Sequence, residues 1–233
     1  MWDKIGLIGA MAEEIQRIDE RMEDTSASVI AGIRFLEGRF CGKKVVLCKS
    51  GVGKVNAAAC TQILIDRFGI DAVIFTGVAG ALDPTLNIGD IVISSDCQQH
   101  DMDASPLGFA RGIIPFADRS VFPADERLVK LAAEAGESAA EGRVLIGRVL
   151  SGDQFIADRE LVRKLHSEMG GACIEMEGSA VAQVCAMNGL PYVVIRSMSD
   201  KADGSAHVNF AEFTVQAADR SFRIVEQMIR RLA

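Results

Sequence analysis

"SVIAGIRFLEGRFCGKKVVLCKS", residues 28–50, decides what kind of sheet this chain builds. Residues 28–40 and 43–50 are β-branched, apolar-rich runs, and Gly42 sits at the turn between them. Two such runs joined by a short glycine turn read as an antiparallel hairpin. Upstream, "KIGLIGA" (4–10) reads as a buried strand and 13–23 as a polar-faced helix. A hairpin beside alternating β and α units predicts a mixed sheet, because purely parallel sheets are built from crossovers alone.

The alternation continues to the C-terminus. Residues 54–68 have a helical pattern, with Val55, Ala59 and Ile63 at four-residue spacing. "AVIFTGVAGA" (72–81) is a strand ending in small residues, and 90–101 is another. Residues 103–122 read as a long irregular loop. Helices are expected over 124–140, 158–169 and 178–188, and strands over 143–155, 172–177 and 192–200. The last helix begins at "NFAE", with Asn209 as N-cap and Glu212 three residues on. Val225, Met228, Ile229 and Leu232 then form one apolar stripe. No repeat or linker divides the chain, so residues 1–233 are read as a single domain. The predicted fold is a three-layer α/β/α sandwich around a central twisted mixed sheet.

Composition narrows the function classes. The 233 residues are 49% hydrophobic and 24% charged, an ordinary globular balance. Twenty-five Lys and Arg against 32 Asp and Glu give a net charge of −7, which argues against nucleic acid as a partner. No apolar run approaches the ~18 residues of a membrane span. "MWDKIGLIGAM" lacks the apolar core of a signal peptide. The six cysteines contain no C-x-x-C pair and read as reduced thiols of a cytoplasmic protein.

Ligands in α/β sheets gather at the carboxyl ends of strands, and three such ends carry acids. The first leads into Glu13 and Glu14. The strand at 172–177 ends in Glu175 and Glu177, two apart and so expected on one side of an extended segment. The strand at 192–200 ends in Arg196, Ser199 and Asp200. Each acid alone has a structural reading, since carboxylates favour helix N-termini. Together they point to a shared acidic site. Crowded carboxylates in a dry cleft are driven to different pKa values, which yields one acid and one base. Such a pair, separated by a water, can cleave a glycosidic bond by inversion. Asp200, deepest at a strand end, is the candidate acid. Glu14, at a helix start, is the candidate ionised base.

Other motifs fail on spacing. "SGVGKV" (50–55) hints at a phosphate loop, but Cys48 and Val55 stand where Gly and Ser or Thr are needed. No G-x-S-x-G elbow is present. "HDMD" (100–103) reads as a loop, not as metal ligands. Small residues in "TGVAGA" (76–81) suit either close helix packing or the approach of a planar ligand.

"KIGLIGAMAEEI", "SGVGKVNAA", "TGVAGAL", "GDIVIS", "SGDQFI", "IEMEGSAVAQVC" and "IRSMSDKAD" together resemble the bacterial 5′-methylthioadenosine/S-adenosylhomocysteine nucleosidases, within the purine nucleoside and uridine phosphorylase superfamily. The resemblance runs from about residue 4 to the C-terminus. It implies a nucleoside phosphorylase-like fold and roles in methionine salvage. It implies that Asp200 protonates N7 of adenine, that Glu14 activates water, and that Ser199 orients Asp200. Met176 and Glu177 would hold the ribose hydroxyls, Glu175 would shape the same wall, and Arg196 would support the carboxylates. Phe155 and Ile156 would line the adenine site, with Ala79 and Gly80 near base and sugar. Met11, Val52 and Phe210 would shape the 5′ end. It also implies a homodimer, an adenine nucleoside as the small-molecule partner, and no metal or organic cofactor. Many members read "TGSAGG" where this chain has Val78 and Ala81, so a hydroxyl near the base is lost and weaker binding is expected.

Phosphorolysis would need Arg side chains at the anomeric carbon. "AMAEEI" and "TGVAG" offer none, and an ionised Glu14 repels phosphate, so hydrolysis is expected. The alternatives are 6-amino-6-deoxyfutalosine as substrate, a phosphorylase, or a non-catalytic nucleoside-binding protein. Retention of Glu14, Glu177 and Asp200 argues against the last.

Overall fold

The computed structural model describes residues 2–139, 142–202 and 206–233, the side chains of 206–212 excepted. The chain runs β1 (Lys4–Gly9), α1 (Ala12–Asp19), β2 (Glu23–Ile30), β3 (Ile33–Phe40), β4 (Lys43–Lys49), α2 (Lys54–Phe68), β5 (Ala72–Ala81) and β6 (Ile91–Gln99). It continues through β7 (Val121–Pro123), α3 (Glu126–Ala139), β8 (Val144–Ser151), α4 (Arg159–Met169), β9 (Gly171–Glu175), α5 (Gly178–Met187), β10 (Tyr192–Asp200) and α6 (Ala206–Leu232).

Among the described residues the strands form one mixed sheet in the order β10-β6-β8-β9-β5-β1-β4-β3-β2, with β7 on β6. The 43–49 strand is antiparallel to β3, as the hairpin reading requires, and parallel to β1. β10 also pairs in parallel with β5, and β9 returns to β5 antiparallel. Strands β5, β10, β6, β8 and β9 therefore close on themselves as a ring at one end of the sheet.

Side-chain alternation sorts the core into two faces. Ile8, Val46, Cys48, Val73, Phe75 and Val194 point to the layer of α2 and α5, where they meet Ala57, Cys60, Leu64, Val181 and Cys185. Ile5, Leu7, Val45, Leu47, Ile74 and Ile195 point to the layer of α1, α3 and α6, against Ile18, Leu128, Val225 and Met228. Val225, Met228 and Ile229 are fully buried, as their stripe predicts. No described helix is long and apolar enough to cross a membrane.

Five local readings need correction. The helix expected over 13–23 stops at Asp19, and Glu23 opens β2. The single strand expected over 28–40 is two strands, broken at Ala31 and Gly32, both with positive φ. The buried face of α2 is Ala57, Cys60, Thr61 and Leu64, while Val55 is 80% exposed. That helix is apolar on two faces, so four-residue spacing fits either. Helix α6 begins at Ala206, so Asn209 lies inside it and is not its N-cap. The side chains of Asn209 and Glu212 fall outside the described residues. The expected loop 103–122 holds a short 3-10 turn at Ser105–Leu107, and its last two residues open β7, which pairs with β6.

Candidate active site

The site is built at the carboxyl ends of β1, β5, β9 and β10. β1 runs out through Ala10 and Met11 into α1. Glu14, in the first turn of α1, folds back so that Oε2 accepts from the Ala10 and Met11 N–H groups at 2.6 and 2.9 Å. Its Oε1 accepts from Val78 N–H at 3.0 Å. The helix-start reading of Glu14 is thus correct in part, since it does cap α1, but the same carboxylate reaches across to β5. Gly77 makes that possible, because a Cβ there would lie 2.4 Å from Glu14 Oε1.

Glu175 ends β9 as the centre of a buried network. It forms an ion pair with Arg196 Nη2 at 2.6 Å, accepts from the Ser151 hydroxyl, and receives Gly178 N–H at 2.7 Å on Oε2. The guanidinium of Arg196 is 1% exposed and lies 4.0 Å from the Phe75 ring centroid. Arg196 thus meets an acid across the sheet, and the acid is Glu175. Glu177 reaches the site differently from the way its spacing suggests. β9 stops at Glu175, and Glu177 is the residue before α5, outside the strand's two-residue alternation. Its Oε1 accepts Gly53 N–H at 2.7 Å. Gly53 sits at φ 98, in the region that favours glycine, and this aims its N–H at the carboxylate. Gly53 of "SGVGKV" therefore serves a carboxylate.

On β10, Ser199 Oγ donates to Asp200 Oδ2 at 2.9 Å, and Ala202 N–H donates to Oδ1 at 2.7 Å. The pairing of β10 with β5 is irregular between Met198 and Asp200, and Gly80 is the residue opposite Asp200. A Cβ on Gly80 would come within 2.9 Å of Asp200 Oδ1.

These groups surround a cavity of about 290 Å³. Its wall includes Glu14, Glu175, Glu177 and Asp200, together with Met11, Val52, Ala79, Gly80, Phe155, Ile156, Met176 and Ser199. Arg196 stands behind the wall, and no Lys or Arg is among the lining residues described. Phe210 lies among the residues whose side chains are not described. The sequence reading missed Ala10, Gln154 and Ile174 as lining residues. Gln154 lies inside the quoted "SGDQFI", so its place beside Phe155 was the available signal.

Burial pushes the Glu14 pKa above the ordinary carboxylate value, against the downward pull of Arg196 and of the Met11, Val78 and Ala10 N–H groups. The expectation of a readily ionised Glu14 is corrected to this extent: removal from water outweighs the helix start. Glu177 is pushed up to about 8, by burial and then by the negative charge of Glu175, opposed by Gly53 N–H and Arg196. Burial thus favours the protonated form of both Glu14 and Glu177. In "HDMD", Asp101 pairs with Lys54 at 2.6 Å, and His100 is buried against Gly152. Among the described residues no group of three or more His, Cys, Asp or Glu is arranged to hold a metal ion.

The profile of the phosphorylase superfamily matches residues 4–230. A 5′-methylthioadenosine/S-adenosylhomocysteine nucleosidase from Bacillus pumilus is 43% identical over 97% of this chain and 98% of its own length. The chain belongs to this nucleosidase family. The family's counterpart from Neisseria meningitidis, solved with methylthio-immucillin-A, superposes with a TM-score of 0.94 at 36% identity, covering 98% of this chain and 99% of that one. A structure described as futalosine hydrolase from Helicobacter pylori superposes at 0.93 with 35% identity, covering 98% of each chain. The nucleoside phosphorylase-like fold read from the sequence is thus the fold of this family.

Proposed function

We propose that the chain hydrolyses the N-glycosidic bond of 5′-methylthioadenosine and S-adenosylhomocysteine, and of 5′-deoxyadenosine, releasing adenine and the 5-substituted ribose. The observation that carries this reading is Glu14. It is a buried carboxylate lining the cavity and held by three backbone N–H groups. A phosphorylase needs positive charge there, and the only guanidinium nearby among the described residues is tied to Glu175 behind the wall. Full-length similarity to the Bacillus pumilus nucleosidase supports the same reading.

In this reading Asp200, as the acid, protonates N7 of adenine while the C1′–N9 bond breaks. Ionised Glu14 takes a proton from the water that attacks C1′. Glu14 must be ionised to act, and its raised pKa makes it a stronger base once it is. Ser199 holds the Asp200 carboxyl in place. Glu177 and Met176 hold the ribose hydroxyls, and the carboxylates stabilise the positive charge that develops on the sugar. Glu175 and Arg196 keep that wall rigid. Phe155, Ile156, Ala79 and Gly80 receive adenine, and Met11, Val52 and Phe210 the 5′ substituent. The chain works as one domain, as a homodimer in the cytoplasm. Exposed apolar side chains on α2 (Val55, 80%), at the end of α5 (Met187, 75%) and in the 103–122 segment (Phe116, 92%) support a covered face.

The test is adenine release from 5′-methylthioadenosine with and without phosphate, with the sugar product identified. Free methylthioribose in both conditions is expected. A phosphate-dependent sugar phosphate would overturn the role of Glu14. The likeness to the Helicobacter pylori futalosine hydrolase favours one further substrate, 6-amino-6-deoxyfutalosine, tested in the same assay.

A further inference from the structure

Cys48 and Cys60 take no part in the chemistry above. Cys48 is the penultimate residue of β4, and Cys60 lies in the second turn of α2. Their Sγ atoms are 3.0 Å apart, and both side chains are buried. A disulfide bond is about 2.05 Å long, so closure needs an approach of only about 1 Å. Cys48 is part of the wall of an open groove of about 620 Å³ between α1, the β2–β3 turn and the 47–51 segment. The Cys48 sulfur faces α2 and Cys60, so a small oxidant in that groove reaches it through local opening of the packing.

We propose that Cys48 and Cys60 are a thiol pair that hydrogen peroxide closes to a disulfide inside the folded protein, cross-linking β4 to α2. The Cys48 thiolate attacks a peroxide oxygen, the O–O bond breaks, and Cys48 becomes a sulfenic acid while hydroxide leaves and takes up a proton as water. The Cys60 sulfur then attacks the Cys48 sulfur. The S–S bond forms, the S–O bond breaks, and the oxygen leaves as water with the Cys60 proton. Two thiols lose two electrons in all, and one peroxide becomes two waters. Burial pushes the Cys48 thiol well above its usual range, so the first step is slow at neutral pH and quickens as pH rises. The bond brackets residues 49–59, which include Val52 on the cavity wall and Gly53, whose N–H holds Glu177.

The test is a peptide map of the native protein. Hydrogen peroxide is raised until the half-buried Cys41 is fully oxidised, which shows that the dose is sufficient. The protein is then acid-quenched, unfolded, alkylated and digested with trypsin. The expected product joins residues 45–49 to residues 55–67, two hydrogens lighter than the sum, at least tenfold above the untreated sample. Cys60→Ser abolishes it, and the map of the parent chain stands alone if that variant does not fold. Full alkylation of both thiols after treatment overturns the proposal. So does sulfinic acid on Cys48 with Cys60 still alkylated, or a cross-link that forms only in urea.

Discussion

Two carboxylates divide the work of the proposed reaction, and each is removed by a near-isosteric change. Glu14→Gln and Asp200→Asn should each lower turnover by about 10²–10⁴-fold, in line with the worth of one general acid or base. Steady-state adenine release measures this, and near-normal rates in either variant would sink the assignment. Glu177 gives a separate test. Its folded-state pKa is raised to about 8 from 4.5, so between those values the folded protein holds a proton that the unfolded chain gives up. Stability from this group is therefore lost as pH rises from about 4.5 through about 8. Glu177→Gln should flatten that slope and gain on the parent chain, by on the order of a few kcal/mol, at the upper end of this window. Urea midpoints at either end of it measure the difference, and parallel slopes would count against the raised pKa. The acids and Arg196 were legible because three strand ends carry charges together, although each acid alone also suits a helix start. Gln154 was not, because a loop residue has no period to mark which way it faces.

The site depends at the level of elements on close approach between strand β5 and helix α1. Gly77→Ala would place a methyl 2.4 Å from Glu14 Oε1 and 3.1 Å from Arg196 Nη1. Displacing a catalytic group by about 1 Å can cost ~10²-fold, so kcat should fall by about that much with the fold retained. Circular dichroism beside kinetics separates the two effects, and unchanged kcat would mean that Glu14 is not held from β5. Element types were readable wherever one face is buried. β2 was not, because nearly all of its residues are exposed and no apolar alternation marks it. The phase of α2 was ambiguous because its outward side is apolar as well, as Val55 shows.

The outward side of α2 bears on the proposed homodimer. In the proposed homodimer Val55 is covered by the second copy, so Val55→Asp should shift the protein toward monomer. Sedimentation velocity at micromolar concentration reads this directly. An unchanged sedimentation coefficient would remove Val55 from the contact.

The closed ring of β5, β10, β6, β8 and β9 was beyond the reach of sequence pattern, because it rests on pairings between distant segments such as β5 with β10. β5 bonds to β1, β10 and β9, so freeing it means tearing three ladders at once. Transient openings of this protein should therefore begin elsewhere, at the exposed β2 edge. In deuterium-labelling experiments the amides of β2 should exchange early. The central amides of β5 should exchange only when the whole chain unfolds, leaving the walls of the cavity in place while the sheet's far edge frays.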